Sequence, residues 1–424
     1  MSFTRNHRYP SVKKRFAIWA ALFSVGTLAM PSTALASNER ESLTTDSERY
    51  FKSEDIFNLE YVSEVQVSPN GKYVAYVRRS NDIMSDSSRA NVWLASVDGK
   101  SHRPLLSSKK SYYSIRWSPD GSRLAYLSNE EGKPQLYVRW MDTGQTALVT
   151  NVTSNPSNIT WSPDGKHIAF TMSVDAKEKP LDIKMPKKPD GAKWSPSFQY
   201  ITKARYQADG RGILEPAYTH IFIVPADGGT ARQLTSGNYH HNGRLSFSPD
   251  SDKIYFSANR SDNWEYEPVE GDIFSVDMMG NIAQLTNDKG LESSPVVSPD
   301  GKHIAYARRD DEKVMYKNSY LYVMKSDGTD AQNLTKDIDN SVSNFHWKDN
   351  KHVYFQQSVR GLAQVDVVSL SGSVKAVAKG LGGTTLGRPY VFGTYHAVDD
   401  VVAYTKGRTD RPADLYVTTR NERQ

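Results

Sequence analysis

The chain has 424 residues and no Cys, so it has neither disulfides nor thiolate metal ligands. Its formal charge of +5 sits wholly on Arg5, Arg8, Lys13, Lys14 and Arg15, because residues 1–36 contain no acid and the remainder balances 48 cations against 48 anions. That balance argues against a nucleic-acid partner, while 27 Gly, 20 Pro and 24 Tyr suit a turn-rich β protein.

The five cations are followed by an apolar run over 16–30 and by Ala34-Leu35-Ala36. This order of basic, apolar and small residues predicts a secretory signal peptide over 1–36. The apolar run is short for a membrane span, so the expectation is a protein exported to the periplasm or medium, with no membrane association after cleavage. Residues 37–52 are polar and predict a flexible N-terminus. Ser53 then caps a short helix with Ile56, Phe57 and Leu59 on its apolar side.

From Tyr61 onward one motif recurs. VSPNGKYVAY begins at Val67, WSPDGSRLAY at Trp117, WSPDGKHIAF at Trp161 and VSPDGKHIAY at Val297; FSPDSDKIYF at Phe247 and WKDNKHVYF at Trp347 are weaker copies. The prolines at 69, 119, 163, 249 and 299 are separated by 50, 44, 86 and 50 residues. In each copy Pro sets φ, Asp accepts local backbone hydrogen bonds and Gly supplies a left-handed residue, which makes a hairpin. The apolar run that follows is nearly unbroken, as for a strand covered on both faces. A period near 45 residues with about four strands predicts an all-β fold, a β-propeller of about seven four-stranded blades, with six to eight compatible with the pattern.

The blades run over about 61–108, 112–154, 158–235, 243–290, 293–341 and 343–390. The third blade is expected to carry an insertion at about 174–216 between its second and third strands, which accounts for the interval of 86. The phrases Gln233-Leu234-Thr235, Gln284-Leu285-Thr286 and Asn333-Leu334-Thr335 mark outermost strands. The last unit, from Tyr395 to Val417, is read as an incomplete blade, and the propeller domain as 53–424.

Four segments in register with the repeats decide the family: MPKKPDGAKW at 185–194, SANRSDNWEYE at 257–267, GLGGTTLGRPY at 380–390 and DRPADLY at 410–416. Together they make residues 53–417 resemble the N-terminal β-propeller of the prolyl oligopeptidase (S9) family of serine peptidases, in its acylaminoacyl-peptidase and dipeptidyl-aminopeptidase branch. The resemblance implies an α/β-hydrolase domain with a Ser-Asp-His triad, covered by a propeller that admits short peptides. This sequence contains no G-x-S-x-G elbow; Gly99-Lys-Ser-His-Arg103 lacks the last Gly and falls in a blade hairpin. The chain is therefore expected to be the non-catalytic, substrate-gating part of such a peptidase, truncated before its hydrolase domain, with no catalytic residue of its own. The alternative is a TolB-like periplasmic propeller acting as a protein-binding scaffold.

The resemblance also implies a substrate site. Dipeptidyl peptidases of the family hold the substrate's amino terminus with propeller glutamates in a D-W-x-Y-E-E-E pattern, which Asn263-Trp264-Glu265-Tyr266-Glu267 matches in part. Trp264, Glu265, Tyr266 and Glu267 are the candidate binding residues, with Glu267 or Glu270 in place of the glutamates that Pro268 and Val269 displace. Pairing an ammonium with carboxylates is sound chemistry. His240 and His241 are an adjacent pair, poor geometry for one metal if they lie on a strand. No metal and no cofactor are expected. The expected partners are a peptide or a protein at the propeller mouth, and a hydrolase domain carried on a separate chain.

Overall fold

The structure is a computed structural model that describes residues 51–176, 186–195, 200–310, 314, 316–383 and 392–419. The export signal read over 1–36, the polar stretch to residue 50 and part of 380–390 lie outside the described residues. The chain divides near residue 56: before it, residues 51–56 are described, with a 3-10 turn at Ser53–Asn58, and the propeller occupies the unit from Phe57 on.

Seven antiparallel sheets make the propeller, each with its strands in sequence order. The inner strands, in turn, are Glu60–Val67, Tyr112–Trp117, Ser157–Trp161, Ser246–Phe247, Gly290–Val297, Val342–Asp349 and Tyr395–Val398. Blades 1 to 6 have four strands; among the described residues blade 7 has three, ending at Arg411–Thr418. In blade 3 the second strand, His167–Asp175, pairs along its full length with Ala217–Pro225, so the 176–216 segment leaves and rejoins the blade at one point. Within that segment Gln207–Ala208 and Gly212–Ile213 form a small separate hairpin.

The repeated motif is organised by its Ser as much as by its Pro, Asp and Gly. Ser118 is fully buried; its hydroxyl donates to Asp120 at 2.6 Å and accepts the Arg123 amide at 2.9 Å. Asp120 also takes the Ser122 amide at 3.0 Å, and Gly121, at φ +72, donates to the Ser118 carbonyl. These bonds, led by the Ser118 hydroxyl, hold the Asp120 carboxyl down at about 2. The weak copy at Phe247 keeps the same turn with Ser251 at φ +67 where Gly would stand.

The Trp that opens three of the copies ties neighbouring blades. The indole nitrogens of Trp117, Trp161 and Trp347 donate to the Gln66, Arg116 and Val296 carbonyls at 3.1, 3.1 and 2.8 Å, each one blade back. The second strands form the core, with Ile168, Ala169 and Phe170 fully buried, as their unbroken apolar pattern requires. The Thr of each Leu-Thr phrase caps the third strand. Thr235, Thr286 and Thr335 accept the amides of Ile221, Ile273 and Leu321 at 2.9 Å.

Among the described residues the ring closes without exchanging a strand. Val62, Val65 and Val67 of blade 1 pack on Ala403, Leu415 and Val417 of blade 7, and the Val67 amide donates to His396 Nδ1 at 3.2 Å.

Because each blade is a meander, the SPDG turns share one face with the third-to-fourth connections. The second-to-third connections, including 176–216 and 259–271, lie on the other face. The exposed side chains Met84, Trp194, Tyr200, Tyr266 and Tyr316 all belong to that second face.

Candidate functional site

The candidate residues lie on the connection between the second and third strands of blade 4, Lys253–Ala258 and Asp272–Asp277. Asn259 shapes this loop. Its Oδ1 accepts the Ser261 amide and hydroxyl at 3.1 and 2.9 Å, and its Nδ2 donates to the Glu267 carbonyl at 2.8 Å. Backbone turns from Trp264 to Ser261 and from Tyr266 to Asn263 complete a compact coil.

The four candidates divide into two pairs. Trp264 is half-buried and meets His240 and Tyr218 edge-on, at centroid distances of 5.3 and 6.3 Å. Glu265 receives the Lys203 ammonium at 2.7 Å and the Ala204 amide at 3.1 Å. Burial alone would raise its carboxyl, but the Lys203 and Ala204 bonds outweigh burial and hold it below its usual range. Glu265 thus clamps the blade 3 insertion to the blade 4 loop. Tyr266 and Glu267 are exposed, and among the described residues Glu267 keeps a 3.3 Å bond from Ser261. Glu270 accepts the Gly290 amide at 3.1 Å, which ties it to blade 5. Of the four candidates, Tyr266 and Glu267 are therefore the exposed pair.

His240 and His241 lie in a loop before the inner strand of blade 4, not on a strand, yet they still diverge. His240 takes the Thr219 amide at 3.3 Å and packs on Trp264. His241 is fully buried, with Nε2 on the Arg260 guanidinium at 2.6 Å and Nδ1 on the Thr219 carbonyl at 3.1 Å. Burial, with Arg260 beside it, pushes its imidazole down to about 3. Both ring nitrogens are engaged, so the pair serves as scaffold beneath the loop. His102 of the G-x-S-x-G near miss stacks on Trp93 at 5.0 Å and meets the Tyr76 hydroxyl at 2.6 Å.

Sequence reasoning did not anticipate Lys203, which lies in the insertion and has no motif of its own. A second group it missed lines the channel: Arg116, Arg244, His346 and His396, on the inner strands of blades 2, 6 and 7 and at the entry to that of blade 4. A groove between blades 3 and 4, lined by His167, Ile223, Pro225, Arg232, Gln233 and Met278, shares no residue with either group.

Comparison with known families bears on this loop and on the insertion. Residues 70–214 match the TolB beta propeller domain, and residues 195–312 match the Dipeptidyl peptidase IV N-terminal region, a span that holds both Lys203 and the 259–267 loop. Dipeptidyl-peptidase 5 of Porphyromonas gingivalis is 23% identical over 420 residues, which is 95% of this chain and 58% of that protein. The chain contains an N-terminal propeller of the prolyl oligopeptidase (S9) family. The same fold is found in the Pyrococcus horikoshii acylaminoacyl peptidase, with a TM-score of 0.65 at 17% identity, over 85% of this chain and 52% of that one. It is also found in the propeller domain of the Pyrococcus furiosus Trilobed protease, which has an open velcro topology. There the TM-score is 0.58 at 16% identity, over 86% of this chain and 96% of that one. The S9 propeller described here spans 31%, 58% and 42% of the lengths of three curated relatives it matches.

Proposed function

We propose that this chain is the substrate-gating propeller of an exported S9-type serine peptidase. In this reading, peptide hydrolysis requires an α/β-hydrolase domain with a G-x-S-x-G nucleophile. The observation that carries the reading is the similarity to a dipeptidyl peptidase along 95% of the chain. Exposed Met84, Trp194, Tyr200, Tyr266 and Tyr316 on the second face support it, although Met279 and Tyr73 are exposed on the first, since apolar side chains of this kind fit a covering domain. The propeller would admit short peptides, with Glu267 and Tyr266 meeting the substrate's free amino terminus.

Two measurements test it. The purified chain should neither label with a serine-reactive phosphonate nor hydrolyse aminoacyl or dipeptidyl substrates, and phosphonate-sensitive hydrolysis would overturn the non-catalytic role. In a protein that joins this propeller to an S9 hydrolase domain, Glu267→Ala should weaken free-amino dipeptide substrates while leaving N-acetylated ones unchanged. Equal affinity in wild type and variant would remove Glu267 from the site. The match of residues 70–214 to the TolB propeller supports a second reading, a scaffold that binds a protein at its mouth. Stable capture of a protein partner by a chain indifferent to peptides would favour it.

A further inference from the structure

The inner strands of several blades break register at one point. Ser114, Asn158, Ser294 and Asn344, each three residues before the motif's first residue, have φ of +52, +51, +57 and +53. Bulges accompany them at Tyr113/Arg116, Ser293/Val296 and Ser343/His346. A bulge re-aims the side chains that follow it. In blades 2 and 6 the next residue back in pairing is Arg116 or His346, each immediately before the blade's Trp.

These side chains converge across the ring. Arg244 of blade 4 donates to the Phe345 carbonyl of blade 6, passing over the intervening blade, which only the central channel permits. The His346 ring lies 5.1 Å from His396 of blade 7. Arg116 of blade 2 interacts electrostatically with Arg244, His346 and His396. Side chains from blades 2, 4, 6 and 7 meet only at the axis. Burial first, and then Tyr395 in favour and Arg116 against, leaves Arg244 at about 10. Burial together with the two guanidiniums pushes His396 down to about 3.

The cluster sets two guanidiniums against one acid, Glu64, which acts on Arg116, while no acid among the described residues acts on Arg244. Among the described residues neither guanidinium belongs to an ion pair. Arg116 donates to the neutral Ile115 carbonyl at 2.7 Å. Glu64 is the acid that acts on Arg116, and its two oxygens already accept the Ser114 and Ile115 amides at 3.1 and 3.2 Å. Desolvated like charges repel, and the arrangement relaxes when an anion joins it.

We propose that the propeller axis holds a carboxylate-binding site formed by Arg116 and Arg244, with His346 and His396 as its walls, for the carboxylate of a short peptide. The planar, five-donor guanidinium suits a carboxylate. The peptide rests on the gating reading given above; the anion does not.

The test is calorimetric titration of the purified chain with acetate, with the tripeptide Ala-Ala-Ala, with its C-terminal amide, and with an amide carrying an internal Glu. The free acid should bind about tenfold more tightly than the plain amide, the worth of a charge-assisted hydrogen bond, and acetate should compete with it. Arg116→Gln should abolish that preference without moving the thermal midpoint, and Arg244→Gln should abolish it too. Because Arg244 also holds Phe345, Arg116→Gln decides the matter if the second variant fails to fold. Tight binding of the Glu-bearing amide assigns the site to side-chain carboxylates, and weak binding assigns it to the terminal one; both support the site. Acetate binding lost in Arg116→Gln, with no peptide binding at all, keeps the anion site and refutes the gating reading. Equal binding of acid and amide, a preference that survives both variants, or no binding of acetate or acid would overturn the site.

Discussion

Glu292 offers the sharpest test of the electrostatics within the blades. It is fully buried in blade 5, with Oε2 on the Thr286 hydroxyl at 2.9 Å and Oε1 3.5 Å from Arg308. Burial outweighs Thr286 and Arg308 and, with Asp272 and Asp288 nearby, pushes its carboxyl from 4.5 up to about 7. The unfolded chain releases this proton near 4.5, whereas the folded chain holds it to about 7. Between those values the folded state binds the extra proton, so stability falls as pH rises and levels off above about 7. Gln has the same shape and no proton to lose. Two and a half units at 1.36 kcal/mol each correspond to about 3 kcal/mol, so Glu292→Gln should gain about 2–3 kcal/mol on wild type between pH 5 and pH 8. Guanidinium unfolding followed by tryptophan fluorescence at the two pH values measures it. A difference between variant and wild type that does not change with pH would mean that Glu292 is ionised against Arg308 throughout, and the reasoning would fail.

Three further outcomes follow from the fold. Trp161→Phe removes the indole bond to the Arg116 carbonyl while keeping an aromatic between blades 2 and 3; denaturant unfolding should show a loss of about 1 kcal/mol. A Cβ on Gly328 would stand 2.5 Å from the Leu285 carbonyl oxygen at φ +90, whereas one on Gly361, at φ +80, meets nothing. Gly328→Ala should therefore cost about 3 kcal/mol and Gly361→Ala about 1 kcal/mol in the same assay, the excess being backbone collision and not φ alone. Glu265→Gln removes the ammonium pair with Lys203, so limited trypsin digestion should cut faster at Lys203 and Arg205 with little change in melting temperature. Unchanged cleavage would show that Glu265 does not hold the insertion.

What the sequence disclosed depended on whether one residue type recurs for one reason. Pro, Asp and Gly of the turn, and the Thr of the Leu-Thr phrases, each satisfy a local bond inside one blade, so their chemistry repeats with the fold and could be read directly. The Ser of the same motif repeats equally well, but its buried bond to the amide five residues on shows only in three dimensions. The Trp could be read as apolar filler, because its donor role needs the blade behind it. The site residues are harder still. Glu265 matches a known pattern, yet its fate is decided by Lys203, 62 positions earlier in an insertion without periodicity. The channel slot before the motif holds Arg116, Thr160, Ser246, Val296 and His346, a mixture with no compositional signal. Its charges acquire meaning only when the ring brings them to one axis.

The seam between blades 1 and 7 bears on how the molecule assembles. Among the described residues every blade is built from one contiguous stretch, and the ends of the ring meet through valine, alanine and leucine side chains without a shared strand. No β-ladder among the described residues joins the first blade to the last, so successive blades can stack as they emerge, in the manner of a linear repeat array. The seam contacts, which have the longest sequence separation, are then expected to form last. Substitutions at Val65 or Leu415 should thus act mainly on the unfolding rate, whereas those within a blade also slow its formation.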